Sequence, residues 1–169
     1  MIRVFLLLGS NEGDRENFLL QARFRIQLLA GKSPSVSSVY ETAAWGDLNQ
    51  APFLNQVLAV DTTLNPRILL STLLAIEDSL GRKRTKKWAA RTIDIDILFY
   101  GEQVITDPDL IIPHPEIAAR RFALTPLAEL IPDFVHPVLK KSVKEMLAEC
   151  SDMLEVSIKL EMKNEKLAG

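Results

Sequence analysis

The run Arg91-Thr92-Ile93-Asp94-Ile95-Asp96-Ile97-Leu98-Phe99-Tyr100 sets two acids one residue apart inside the most apolar stretch of the chain. Its β-branched composition predicts a strand. Side chains alternate between the faces of a strand. Ile93, Ile95 and Ile97 therefore share one face while Asp94 and Asp96 share the other, roughly 6.6 Å apart. At an effective dielectric of about 20 such a pair repels by on the order of 2.5 kcal/mol, and half-burial adds a desolvation cost. The arrangement calls for positive charge. Hard oxygen ligands without a nearby His or Cys suit Mg²⁺ better than Zn²⁺, and Mg²⁺ is commonly held by one or two carboxylates plus substrate phosphates. A solvent-facing pair on an edge strand is the alternative, and spacing alone leaves it open.

The elements around this strand follow from periodicity. Arg3 to Leu8 reads as a buried strand, and Asp14 to Ala30 as a helix with Phe18, Ala22, Ile26 and Leu29 at helical spacing and Gly31 as its stop. Val36 to Thr42 alternates as a strand, and Phe53 to Val60 is a second strand expected to pair with it. Asn65-Pro66 offers an N-cap followed by proline at the first helical position, Ile68, Leu69, Thr72, Leu73 and Ile76 form an apolar face, and Gly81 ends the helix. The order β-α-β-β-α-β predicts an α+β, ferredoxin-like sandwich with two helices on one sheet face. Beyond Tyr100, Gly101-Glu102 is expected to turn into a hairpin strand at Gln103-Val104-Ile105. Residues 106 to 137 carry six prolines among short helical pieces that pack on or lid the core. Ser142 and Glu145 form a capping box for a helix through Cys150, and the alternation from Leu154 to Met162 predicts one more strand before a tail. The 169 residues fit one domain with a sufficient core and show neither an internal repeat nor a domain boundary.

Segment 81 to 91 concentrates six cationic side chains in eleven residues, although the whole chain carries a net charge of −2. A basic run is ordinarily a solvated loop. Here it feeds directly into the aspartate strand, and Mg²⁺ with converging arginines is a polyphosphate-binding combination. Trp88 stands among the cations either as a surface anchor or as a cover for a flat ligand. Gly9-Ser10-Asn11-Glu12-Gly13-Asp14 has neither the Walker nor the Rossmann spacing and reads as a capped turn. His114, between two prolines and near Glu116, Arg120 and Arg121, and His136, before Pro137, lie in rigid loops. An exposed His114 is suited to contact a phosphate. No activated cysteine or Ser-His-Asp order supports covalent catalysis.

A sequence pI near 5.7 gives no global attraction to nucleic acid or anionic membrane, so any anion site must be local. The single cysteine, Cys150, permits no internal disulfide and agrees with a reducing compartment. Val4 to Leu8 is too short for a signal-peptide core and reads as a strand, so a cytoplasmic protein is expected.

Taken together, Leu8-Gly9-Ser10-Asn11, Tyr40-Glu41-Thr42, Phe53-Leu54-Asn55, Ile76-Glu77 to Gly81-Arg82, Trp88-x-x-Arg91-Thr92-Ile93-Asp94-Ile95-Asp96-Ile97 and Pro113-His114-Pro115 with Arg120 and Phe122 resemble the 6-hydroxymethyl-7,8-dihydropterin pyrophosphokinases of folate biosynthesis. The resemblance spans roughly residues 1 to 135. It implies a ferredoxin-like fold, two Mg²⁺ ions, and transfer of pyrophosphate from ATP to the pterin hydroxymethyl group with release of AMP.

Carried over by position, the resemblance makes Asp94 and Asp96 the metal ligands and, with Arg82 and Arg91, the catalytic set. It assigns ATP to Glu77, Arg84, Trp88, Ile97, His114 and Arg120. Phe53 and Phe122 would sandwich the pterin ring, Asn55 would hydrogen-bond its edge, and the backbone around Thr42, Ala43 and Trp45 would complete that pocket. The chain departs from the family pattern at Ala43-Ala44 and Ala89-Ala90, where prolines or Gly-Pro are usual, and at Phe53, where tyrosine is frequent. The resemblance implies ATP and the pterin as partners; the acidic pI speaks against nucleic acid and membrane, and the oligomeric state is left open, a monomer among the states allowed. The competing reading is a non-catalytic ferredoxin-like nucleic-acid-binding module, against which stand the acidic pI and the lack of an aromatic RNP-type strand.

Overall fold

A computed structural model of the chain describes residues 1–44, 49–82 and 90–160. At its centre is β1 (Ile2–Ser10), whose residues from Val4 onward are all buried. A strand that is apolar on both faces requires cover on both. It pairs antiparallel with β4 (Phe53–Thr62) on one side and with the aspartate strand β5 (Asp94–Tyr100) on the other. Beyond β4 lie β2 (Lys32–Val36) and β3 (Val39–Thr42), and β8 (Val156–Leu160) closes that edge against β3. With β2 and β3 taken as one interrupted strand, the order β5-β1-β4-β2/β3 is the ferredoxin-like arrangement that the element order predicts.

The interruption of the predicted strand 36–42 has a polar cause. Ser37 Oγ accepts from Val57 N at 2.9 Å, Gln56 donates to Ser37 O, and Ser38 N donates to the Glu129 carboxylate at 3.0 Å. These bonds take the place of ladder bonds at the break.

Helices α1 (Arg15–Leu29) and α2 (Pro66–Ser79) cover one face. Asp14 caps α1 by accepting from Asn17 N, and Asn65 caps α2 by accepting from Ile68 N, with Pro66 at the first helical position as the sequence indicates. At the end of α1, Gly31 has φ +153°, and a Cβ there would stand 2.3 Å from Asp61 O, so only glycine fits. Leu19, Ala22 and Ile26 of α1 and Leu69, Leu73 and Ile76 of α2 pack on Val4, Leu6, Leu8, Ile95 and Ile97.

The second face carries its own core, which the element order does not foretell. In β5, Leu6 pairs with Ile97 and Phe5 with Phe99, so Leu98 is an extra residue, a β-bulge that turns Phe99 to the face opposite Ile97. Phe5, Leu7, Val57, Leu98 and Phe99 are covered there by α3 (Arg121–Leu130) and α4 (Val143–Glu149). The Ser142/Glu145 capping box is present at the start of α4. The proline-rich segment is thus the second helical layer.

The expected hairpin at Gly101-Glu102 does not form. Ile105 instead opens β6 (Ile105–Asp107), which pairs with β7 (Leu110–Ile112) as a separate ribbon. The chain does turn at Gly101-Glu102, where Gln103 N donates to Tyr100 O at 3.1 Å, but the hairpin closes later, at Pro108-Asp109, which Arg67 spans by reaching Asp107 at 2.7 Å and Asp109 at 3.1 Å. The C-terminal strand forms over 156–160, and Met162 lies outside the described residues. No helix among the described residues is long and apolar enough to cross a membrane.

Candidate active site

Sheet register assembles the site. Tyr40 pairs with Asn55, Asn55 with Gly9, and Gly9 with Asp94, making one row across four strands. In the next row Val57, Leu7 and Asp96 are neighbours. Leu7 and Val57 belong to the second core, so Asp94, Asp96, Gly9 and Asn55 all face the α3 side, at the end of the sheet where that helical cover stops. Gly9 leaves the middle of the row open: a Cβ there would stand 3.1 Å from Asn55 Oδ1 and 3.6 Å from the Phe53 ring. Asn55 is oriented by donating to Thr42 Oγ1 at 2.9 Å.

Above this floor lies a cleft of about 690 Å³, part of it open to solvent. Thr42, Ala43, Phe53, Asn55 and Phe122 line one end, and Arg91, Asp94, Asp96 and Arg120 the other, with Leu7, Gly9 and Gln50 completing it. The Arg120 guanidinium sits 5.9 Å from the centroid of the Phe122 ring, a cation–π contact joining the two ends.

The two carboxylates are not equivalent. Asp94 Oδ1 accepts from Arg82 Nη1 at 2.7 Å and Asp94 Oδ2 from Arg91 Nη1 at 2.5 Å. Arg82 Nη1 also stands 2.5 Å from Glu77 Oε2, and Glu77 Oε1 accepts from Ile95 N at 2.7 Å. Burial pushes the pKa of Glu77 up and Asp94 adds to that, against the pull of Ile95 N and Arg82. Burial would lower the pKa of Arg82, but Asp94 and Glu77 more than offset it. Asp96 is the open member of the pair, with about a third of its side chain exposed (32%). Burial of its carboxyl and the neighbouring Asp94 charge raise its pKa, with Arg120 and Arg91 opposing.

His114 Nε2 lies 3.9 Å from Asp96 Oδ2. Its backbone N donates to the carbonyl of the bulge residue Leu98 at 3.0 Å, and its Nδ1 accepts from Glu116 N, which leaves the proton on Nε2. Burial, with Arg120 adding to it, pushes the pKa of His114 down to about 4, so the imidazole is neutral at pH 7 and the contact with Asp96 is no ion pair.

Arg82 and Glu77 stand behind Asp94 rather than at the lining of the cleft. Ile97 is 6% exposed, with its side chain in the first core on the face opposite Asp96. Trp45, Arg84 and Trp88 lie outside the described residues.

One residue without an assigned role proves central. Asn11 is buried, its Oδ1 accepts from Arg91 N at 2.9 Å, and its N donates to Arg91 O at 3.2 Å. Its Nδ2 donates to Gln50 Oε1 and to Ala51 O. One side chain thus ties the segment carrying Arg91 to the segment entering Phe53. The signal in the sequence was an amide at a strand end inside a quoted motif, where it read only as part of a turn.

Residues 5–132 match the family model described as 7,8-dihydro-6-hydroxymethylpterin-pyrophosphokinase, HPPK. The chain belongs to this family. It is 42% identical over 149 residues to the 2-amino-4-hydroxy-6-hydroxymethyldihydropteridine pyrophosphokinase of Aquifex aeolicus, covering 88% of this chain and 92% of the relative. The Bacillus subtilis protein of the same name is 45% identical over 127 residues, covering 75% of this chain and 76% of the relative. Among solved structures, Plasmodium falciparum HPPK-DHPS wild type with pteroate superposes with a TM-score of 0.71 at 18% identity, over 88% of this chain and 42% of that one. That likeness shows a shared fold. HPPK membership makes the protein a diphosphotransferase, and the α+β sheet read from the element order is the HPPK fold.

Proposed function

We propose that the cleft over the Asn55–Gly9–Asp94 row is where this HPPK-family enzyme transfers pyrophosphate from ATP to the hydroxymethyl group of 6-hydroxymethyl-7,8-dihydropterin in folate biosynthesis. The observation that carries this is the division of one cleft into an aromatic and amide end and a carboxylate and guanidinium end.

At the first end Phe53 and Phe122 take the flat pterin ring between them, and stacking of this kind is worth around 1 kcal/mol beyond area burial. Asn55, held by Thr42, hydrogen-bonds the ring edge, and the backbone at Thr42 and Ala43 completes the pocket. At the second end Arg91 and Arg120 hold phosphate oxygens, and His114 donates from Nε2. Glu77 fixes Arg82, and Arg82 and Arg91 carry the charge that develops during transfer.

Among the described residues no group of three or more His, Cys, Asp or Glu side chains is gathered as a cage. Two carboxylates on one strand face, in a cleft that also admits phosphates, are nevertheless the oxygen set that Mg²⁺ uses when substrate supplies further ligands. The residues fit, with Asp94 and Asp96 as the protein ligands. When bound, the ions would neutralise phosphate charge and lower the pKa of the substrate hydroxyl.

In the reaction the pterin hydroxyl oxygen attacks the β-phosphorus in line. An oxygen–phosphorus bond forms there, the bond from that phosphorus to the oxygen retained by AMP breaks, and the hydroxyl proton passes to solvent. The protein's part is positioning and charge neutralisation, without an enzyme nucleophile. The decisive experiment is product analysis by phosphorus NMR after mixing protein, ATP, Mg²⁺ and the pterin. AMP and a pterin diphosphate are expected only in the complete mixture, whereas ADP would refute pyrophosphoryl transfer.

A further inference from the structure

The HPPK family match ends at residue 132, yet the segment from Cys150 to Leu160 is bonded to both walls of the aromatic end of the cleft. One wall is the start of α3. Its N-cap residue, Arg120, is extended and makes no side-chain cap, so the first amide of the helix needs an acceptor from elsewhere. Asp152 supplies it: Oδ2 accepts from Arg121 N at 3.0 Å. Arg121 answers with Nε to Asp152 O at 2.7 Å and Nη2 to Cys150 O at 3.1 Å, and Asp152 Oδ1 accepts from Leu154 N. Arg121 is flanked by Arg120 and Phe122, both of which line the cleft. The other wall is β3, where β8 pairs Val156 with Thr42 and Ser157 with Glu41. A few residues after capping α3, the same segment therefore holds the strand that ends at Thr42.

We infer that residues 150–160 act as a strap setting the distance between the two walls of the pterin pocket, with Asp152 as a positioning residue that acts through Arg121 on Phe122 and Arg120. Asp152 touches no substrate. A carboxylate at a helix N-terminus satisfies an amide and is attracted to the positive end of the helix dipole, and without it the first turn of α3 frays. That turn carries the ring expected to stack on the pterin. The inference rests on the reading of this end as the pterin site.

The test uses the full chain and measures the dissociation constant of 6-hydroxymethyl-7,8-dihydropterin in the presence of Mg²⁺ and a non-hydrolysable ATP analogue, with thermal melts alongside. Asp152→Ala is expected to weaken pterin binding about tenfold, the size of a lost helix cap expressed as affinity. Asp152→Asn keeps an oxygen acceptor for Arg121 N but turns its amide nitrogen toward Leu154 N, and so restores part of the loss. Arg121→Lys, which loses the fork onto the Cys150 and Asp152 carbonyls, repeats the effect from the other partner. On a Phe122→Leu background, Asp152→Ala adds less than about twofold, because both changes act on one ring.

Pterin affinity unchanged in Asp152→Ala while Phe122→Leu weakens it would overturn the strap and leave the pterin site standing. A loss equal in both backgrounds would overturn it as well, since the effect would then be general. Phe122→Leu without effect would refute the pterin assignment itself and the strap with it.

Discussion

Arg91 Nη1 and Asp94 Oδ2 meet at 2.5 Å across three residues at the entrance to β5, and Arg82 takes the other oxygen of Asp94 at 2.7 Å. The positive charge demanded by two acids on one strand face is therefore supplied, for Asp94, by guanidiniums. Asp96 keeps its carboxylate toward the cleft, with neutral His114 as its near neighbour. Asp94 thus holds Arg91 at the lining of the cleft and Arg82 behind it.

Removing either carboxylate should abolish turnover and leave the fold intact, because both side chains face a cleft rather than a core. Asp94→Ala and Asp96→Ala are each expected to reduce AMP release by about 10³-fold or more, the scale of removing a group that organises charge in phosphoryl transfer. Wild-type rates of AMP formation in either variant would sink the assignment.

Glu77 is 1% exposed and is held by Arg82 and Ile95 N. Truncating it to alanine leaves a buried backbone N–H and half of a guanidinium without their acceptor. The expected loss is about 3 kcal/mol, read as a lowered midpoint in urea unfolding. Glu77→Gln, which keeps an acceptor for Ile95 N, should lose distinctly less. Equal midpoints for Glu77→Ala and wild type would assign the residue no structural role.

Gly9 has ordinary backbone geometry, so its constraint is space alone. In Gly9→Ala the new methyl group presses on Asn55 Oδ1, and Asn55 is locked by its bond to Thr42. Displacement of a few tenths of an ångström should raise the KM for the pterin by roughly three- to tenfold with a smaller change in kcat. The steady-state split between the two constants checks this, and an unchanged KM would show that Asn55 does not contact the ring.

His136 is 5% exposed, accepts from Val138 N and Leu139 N at Nδ1, and stands edge-on to Phe99 at 5.5 Å. Burial lowers its pKa, opposed by a backbone hydrogen bond. With the folded value below the unfolded one, about 6.5, the neutral ring's contribution is fully present above that pH. It is lost as pH falls through the folded pKa, because protonating Nδ1 removes the acceptor. The unfolding free energy should therefore begin to fall below about pH 6.5, and His136→Asn should flatten that part of the profile. Identical slopes for the two proteins between neutral and mildly acid pH would refute the assignment.

Much of the fold was legible because it depends on local rules. The caps at Asp14, Asn65 and Ser142 and the glycine stop at Gly31 act within a few residues of themselves, and period-two alternation put Asp94 and Asp96 on one face before any partner strand was known. The motif residues at Thr42, Phe53, Asn55, Arg91, Arg120 and Phe122 also gather in one cleft, as their family pattern implies. Distant segments account for the differences: Arg67 spans the turn at Pro108-Asp109 where the hairpin closes, and Glu129 on α3 takes Ser38 N at the break in the strand.

The sequence by itself determined that Asp94 and Asp96 share one strand face and where the helix caps fall, because side-chain direction and capping follow from local periodicity alone. It also determined family membership through motifs quoted in order. Only the tertiary structure decided that Leu98 is a bulge which builds a second core, and that Asn11 and Asp152 tie together segments far apart in the chain. Those are contacts between residues tens of positions apart, or register shifts between paired strands. Their energies exist only once the sheet has brought the segments together, so no window of sequence contains them.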